Sequence, residues 1–103
     1  MDETQVASAL AALGHEARLR IFRLLVRAGD EGVIIGDIGR LTDLPASTLA
    51  HHLSALVQVG LVTQERQGRQ VLNRADFELM NAVLTFVAEE CCSGINLVEE
   101  DAA

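Results

Sequence analysis

Apolar residues recur with a helical period over most of the chain, glycines cut that period into segments, and one short stretch switches to the two-residue period of strands. Val6, Leu10 and Leu13 repeat at helical spacing behind Thr4, the expected N-cap, and Gly14 ends this first helix. From Glu16 to Ala28, Ala17, Ile21, Leu24, Leu25 and Ala28 form an apolar stripe opposite Arg20, Arg23 and Arg27, and Gly29 stops the helix. A third, shorter helix is predicted over Ile34 to Leu41, followed by a turn at Thr42 and Asp43. A fourth spans about Ala46 to Val59, with Leu49, Leu53, Leu56 and Val57 on one face, and Gly60 caps it.

Two strand-length segments follow, Leu61 to Arg66 and Arg69 to Arg74. Gln67 and Gly68 between them suit a tight hairpin with positive φ at the glycine. Asp76 then opens a last helix reaching about Cys92, with Gly94 as its stop and residues 95–103 as an acidic tail. That helix is apolar almost all round (Phe77, Leu79, Met80, Val83, Leu84, Phe86, Val87), so it needs burial on two sides. The fold class expected is mostly α with one β-hairpin, in the order α-α-α-α-β-β-α. Helix, turn, helix and hairpin in this order define a winged helix-turn-helix.

Length and composition narrow this further. With 103 residues, positions 1–103 are expected to form a single domain, and the spare apolar faces of the first and last helices call for a partner chain. Half the residues are hydrophobic, yet Trp and Tyr are absent, so the core is built from Leu, Val, Ile and Ala. No apolar run is long enough to span a bilayer and the first residues are acidic, which points to a cytoplasmic protein with no membrane partner. A net charge of −7 looks wrong for a nucleic-acid binder until the charges are placed. Residues 44–74 carry Arg66, Arg69 and Arg74 against Glu65 alone, whereas residues 75–103 carry seven acids and no base. A local basic patch can hold DNA within an acidic protein, because charges are screened beyond roughly 8 Å at physiological salt.

The stretch from Leu10 to about Ala75, and above all the segments STLAHHLSAL (47–56) and GLV (60–62), closely resembles the ArsR/SmtB family of bacterial metal-responsive repressors. The resemblance implies a homodimer joined through its first and last helices, bound to an inverted-repeat operator in double-stranded DNA and released by an inducer. The fourth helix would be the reader. Ser47, Thr48, His51 and His52 are small or hydrogen-bonding, as the end of a helix entering the major groove requires. Arg66, Gln67 and Arg69 surround the wing tip, within reach of the backbone or minor groove. The bland alternative is a solvated polar face with one histidine packed inside. The stripe Arg20, Arg23, Arg27 reads as a solvated face with an i,i+4 pair from Glu16 to Arg20.

Two cysteines adjacent in sequence cannot make the loop-closing framework of a secreted protein. Cys91 and Cys92 instead suggest a soft-ion site, since thiolates select thiophilic species such as trivalent arsenic or antimony, or mercury. Adjacent helical residues diverge by about 100°, so chelation requires the helix to loosen, which Ser93 and Gly94 permit. Arsenite-sensing relatives often carry vicinal cysteines here with a third nearby. This chain has no third, which raises the case for a monosubstituted species such as methylarsenite. The family's cysteine site on the third helix and its histidine-bearing zinc site on the last helix lack their residue types here. No resident cofactor is expected. The expected function is therefore a repressor that leaves its operator when arsenite, methylarsenite or antimonite binds the thiols. The alternatives are a redox- or persulfide-responsive repressor, an inducer-independent winged-helix regulator, or a protein-interaction winged helix. With no nucleophile–base pair or phosphate loop, an enzyme is the weakest reading.

Overall fold

A computed structural model describes residues 1–97. Among these residues there are five helices, α1 (Glu3–Leu13), α2 (Glu16–Ala28), α3 (Ile35–Thr42), α4 (Ala46–Gln58) and α5 (Phe77–Ala88), with strands β1 (Val33–Ile34), β2 (Val62–Gln67) and β3 (Gln70–Ala75). A single 3₁₀ turn, Gly29–Glu31, joins α2 to β1. The expected order is found, with one strand added and several boundaries moved.

The N-cap of α1 is Asp2 rather than Thr4. Its carboxylate accepts from the Gln5 N–H at 2.8 Å, and the Gln5 side chain accepts from the Asp2 N–H at 3.0 Å. This reciprocal box satisfies two of the helix's orphan donors, which a hydroxyl two residues later would not. His15 caps α2 through Nδ1, which accepts from the Ala17 N–H at 3.2 Å.

The strand β1 has only two residues, too short to show alternation, and it pairs antiparallel with β3 at Val33–Asn73 and Ile34–Leu72. The wing is thus the outer part of a three-stranded sheet, ordered β1-β3-β2, not a free hairpin. Gly32 makes the added pairing possible. Its φ is +69°, and a Cβ there would lie 2.7 Å from the Asn73 carbonyl oxygen. Asn73, fully buried, ties the sheet together: its amide donates to the Val33 and Val71 carbonyls, and its Oδ1 accepts from Gln64.

The apolar face of α3 is also displaced. Leu41 is 64% exposed, while Thr42, the expected turn residue, is the last residue of the helix and is buried. Its hydroxyl donates to the Ile38 carbonyl at 2.6 Å, so the polar side chain costs little inside. Asp43 then takes a left-handed conformation (φ 57°) and turns the chain toward Pro45, where α4 begins. Ile21, Leu25, Ile38, Leu49, Leu53, Leu56, Leu61 and Val62 form a dry centre that fixes α4 and the sheet on α2 and α3. The hairpin turn falls one residue later than expected, at Gly68 and Arg69 between the paired Gln67 and Gln70. Only the glycine has positive φ (63°), the sign pattern of a type II′ turn.

The helix α5 stops four residues short of expectation. Asp76 caps its start by accepting from the Leu79 N–H at 3.0 Å, but beyond Ala88 the chain leaves the helix, with Glu90 and Cys92 at φ 62° and 66°. Two glutamates at the negative end of a helix dipole oppose its continuation. Only Val83 of α5 is buried, whereas Leu84 and Val87 are 57% and 60% exposed.

Candidate nucleic-acid interface and thiol site

The start of α4 has no side-chain cap, because Pro45 precedes it, and its first turn carries Ser47 and Thr48, both exposed. One turn further along the same face is His51, also exposed. Ser54, three residues beyond, extends this face. The sequence reading passed over it, although i+3 from His51 is the signal that finds it. The apolar positions Leu49, Leu53 and Leu56 are buried behind this face, so the core aims the polar residues outward.

His52 is not part of the exposed face. It is 6% exposed, and its Nδ1 accepts from Arg18 Nε at 3.2 Å. The His15 ring is centred 4.6 Å away and that of His51 5.6 Å away. Burial, then the positive surroundings of His15, Arg18 and His51, lower its pKa below the usual histidine value. Periodicity explains the placement: position 52 adjoins the Leu49, Leu53, Leu56 stripe, and Arg18 on α2 supplies the partner that a buried imidazole needs. This partnership could not be read locally, since the two residues lie 34 positions apart.

At the wing, Arg66, Gln67 and Arg69 are exposed around the turn. Arg74, counted with the basic patch on sequence grounds, is engaged: it donates through Nη1 to Glu65 at 2.6 Å and through Nε to the Asp30 carbonyl at 2.7 Å. The hydrogen bond from Arg74 and its charge hold the Glu65 carboxyl below the ordinary range. The pair cancels the only acid of the wing and leaves Arg66 and Arg69 to set the sign of its tip.

Cys91 and Cys92 lie in the turns after α5, which resolves the angular problem posed by a continuous helix. Cys91 N–H donates to the Ala88 carbonyl, Ser93 N–H donates to the Glu90 carbonyl, and the left-handed Cys92 swings its side chain back. The two sulfurs are 2.7 Å apart and both residues are exposed. Hydrogen bonding to Cys92, then partial desolvation, push the Cys91 thiol above its usual pKa. Among the described residues no cluster of three His, Cys, Asp or Glu side chains is placed to hold a metal ion, so the pair supplies two sulfur donors.

Fold and surface together define a winged helix-turn-helix regulator. A helix-turn-helix domain family matches residues 13–65. The HTH-type transcriptional regulator YgaV of Escherichia coli is 31% identical over 88 residues, covering 85% of this chain and 87% of that protein. An inferred arsenical resistance operon repressor, ArsR of Halobacterium salinarum, is 38% identical over 60 residues, 58% of this chain and 46% of the relative. Among solved structures, an ArsR-like transcriptional regulator from Rhodococcus sp. RHA1 superposes with a TM-score of 0.72 at 27% identity, covering 82% of this chain and 76% of that one. The homodimeric winged helix-turn-helix DNA-binding domain Mb0332 from Mycobacterium bovis gives 0.68 at 29% identity, covering 84% and 81%. This chain belongs to the ArsR/SmtB family of winged helix-turn-helix transcriptional regulators.

Proposed function

We propose that the protein is a homodimeric repressor that holds an inverted-repeat operator through α4 and the wing and releases it when a trivalent arsenical bridges Cys91 and Cys92. The observation that carries the inducer assignment is the 2.7 Å approach of two exposed sulfurs on a turn outside any helix. Two such donors form a small chelate with a soft, thiophilic centre and offer little to hard cations. A chelate with two sulfurs satisfies an arsenic centre whose third valence is already a carbon, which favours methylarsenite over arsenite. The relative from Halobacterium salinarum, named for arsenical resistance, supports the ligand class.

Ser47, Thr48 and His51 read bases, while Arg66, Gln67 and Arg69 hold the backbone or minor groove. His52 supports this surface from behind. Dimerisation is supported by the uncovered apolar side chains of α1 and α5, Leu10, Leu84 and Val87, and by the homodimeric relative Mb0332. The thiols then follow directly on a helix of the dimer interface. Gathering both around one arsenic atom reshapes that helix end and shifts reading heads that must meet the groove about 34 Å apart.

The deciding experiment is a gel shift with the DNA upstream of the gene, with and without methylarsenite, on the parent, Cys91→Ser and Cys92→Ser. Release of the parent and retention of both variants is the expected result; release of the variants as readily as the parent removes the thiols from sensing. The same sulfur proximity also suits a thiol-oxidation switch. Arms with peroxide and polysulfide under otherwise identical conditions separate the two, and a response to oxidant but not to arsenical replaces the inducer.

A further inference from the structure

Of the eight arginines, Arg18, Arg40 and Arg74 have close side-chain partners, and Arg66 and Arg69 belong to the wing. The remaining three lie along one face of α2. Arg20 reaches Glu16 only at 3.9 Å, with both side chains largely in water, and Arg23 and Arg27 have no carboxylate partner among the described residues. In a protein with fifteen acids and eight bases, unpaired arginines a turn apart are unexpected.

These three line a groove of about 440 Å³ between α2 and α3, together with Glu16, Leu19, Leu41 and Thr42. Leu19 and Leu41 are 46% and 64% exposed. The lining therefore combines uncovered aliphatic surface with three arginines against one carboxylate, Glu16, which lies nearest Arg20 and leaves Arg23 and Arg27 uncompensated. A phosphate backbone would satisfy the arginines but leave the leucines wet; an acidic segment carrying aliphatic residues satisfies both.

We propose that this groove is a docking surface for the acidic C-terminal segment of this chain, residues 95–103, from either subunit of the dimer. That segment has the matching chemistry in its sequence: Ile95, Leu97 and Val98, then Glu99, Glu100 and Asp101. Ile95 and Leu97 are 76% and 62% exposed, and positions 98–103 lie outside the described residues. The carboxylates pair with Arg23 and Arg27, and the aliphatic residues cover Leu19 and Leu41. The consequence is a tether. Its occupant begins three residues after Cys92, and its wall includes Leu41 and Thr42, next to the turn that leads into α4.

The chain contains no lysine, which gives a direct test on the full-length protein. Arg27→Lys keeps the charge and introduces the only side-chain amine. Treatment with a water-soluble carbodiimide, followed by peptide mass spectrometry, reads which carboxylates are in contact with it. The expected result is an amide between position 27 and Glu99, Glu100 or Asp101, formed several-fold more than from position 69 in Arg69→Lys, and lost in molar salt. Equal yields from the two positions, or attachment of position 27 only to its helix neighbours, overturn the proposal. In parallel, Arg23→Ala with Arg27→Ala is titrated against operator DNA at several salt concentrations. A salt slope unchanged from the parent supports the proposal, and one reduced by about two assigns the groove to phosphates and overturns it. Melting curves matching the parent confirm that both variants are folded.

Discussion

Arg18 on α2 and His52 on α4 are joined by a 3.2 Å hydrogen bond in which Nε of the guanidinium donates to Nδ1 of the imidazole. The bond fixes His52 as the neutral tautomer with its proton on Nε2, and it pins the reading helix to the helix behind it. Neighbouring His15 also accepts at Nδ1, from the Ala17 N–H. A second proton, on Nδ1 of His52, would set a donor against the Arg18 donor. Among the described residues the charged groups acting on His52 are His15, Arg18 and His51, none of them a carboxylate.

The pH dependence follows in sign from the lowered pKa of His52. The unfolded chain binds a proton at the ordinary value of 6.5 and the folded chain only at lower pH, so stability is present in full above 6.5 and is lost as pH falls below it. Thermal melts between pH 8 and pH 5 should show a falling midpoint, and His52→Gln, whose amide oxygen can still accept from Arg18, should flatten that slope. A slope unchanged in His52→Gln would assign the dependence to other groups. Removing the donor instead, as in Arg18→Met, leaves a buried acceptor unsatisfied and should cost about 1–3 kcal/mol at pH 8.

The two DNA-facing elements should respond differently to truncation. Arg69→Ala should weaken binding to cognate and random DNA alike and reduce the salt slope by about one. His51→Ala should spare random DNA and relax preference at one base position by about 1 kcal/mol. With His52 buried, an effect of His52→Ala should appear in stability before it appears in sequence preference. Equal losses on cognate and random DNA for His51→Ala would displace α4 as the base reader.

How far the sequence carried can be judged from these residues. The period of Leu49, Leu53 and Leu56 located α4 and its outward face to within a residue or two, and the two strand-length segments either side of Gln67 and Gly68 located the wing. What periodicity could not provide was anything set by partners distant in the chain. The Arg18–His52 bond and the β1–β3 pairing held by Asn73 each join residues at least 34 positions apart, and β1 has too few residues for any pattern. Thr42 was misplaced because hydropathy counts a hydroxyl as polar whether or not the preceding turn offers it a carbonyl. The end of α5 was overextended for a related reason: Val87 and Ala88 keep the apolar pattern running, while the stop comes from backbone geometry at Glu90 and Cys92.

Gly32 gives a stability prediction independent of function. A side chain there meets the Asn73 carbonyl at 2.7 Å and also requires positive φ, so Gly32→Ala should destabilise by about 2 kcal/mol or more. Gly68→Ala, at similar φ but with open space around it, should cost only about 1–2 kcal/mol. Urea melts of the two variants order them, and a Gly68 variant weaker than the Gly32 variant would contradict the account of β1.

Assembly is tested on α5. Leu84→Glu and Val87→Glu place charges on side chains that the single chain leaves open, so neither should disturb its core. Both should convert a dimer into a monomer in sedimentation at micromolar concentration, with operator affinity lost alongside, because a single reading head meets only half a site. A monomeric parent, or a variant that remains a dimer, would move the interface elsewhere.

Thermodynamic coupling gives the last prediction. If methylarsenite lowers operator affinity by some factor, operator DNA must lower methylarsenite affinity by the same factor, typically 5- to 150-fold for couplings of about 1–3 kcal/mol. The raised pKa of Cys91 means the thiol is protonated before capture, so binding should release protons and strengthen as pH rises toward that value. Calorimetry in buffers of different ionisation enthalpy, with and without operator, measures both effects on one sample. Arsenite, which keeps a free third valence on a site with only two sulfurs, should bind no tighter than methylarsenite. Methylarsenite binding of equal strength with and without DNA would mean that the thiols capture the arsenical without communicating with α4, and the inducer would have to act elsewhere.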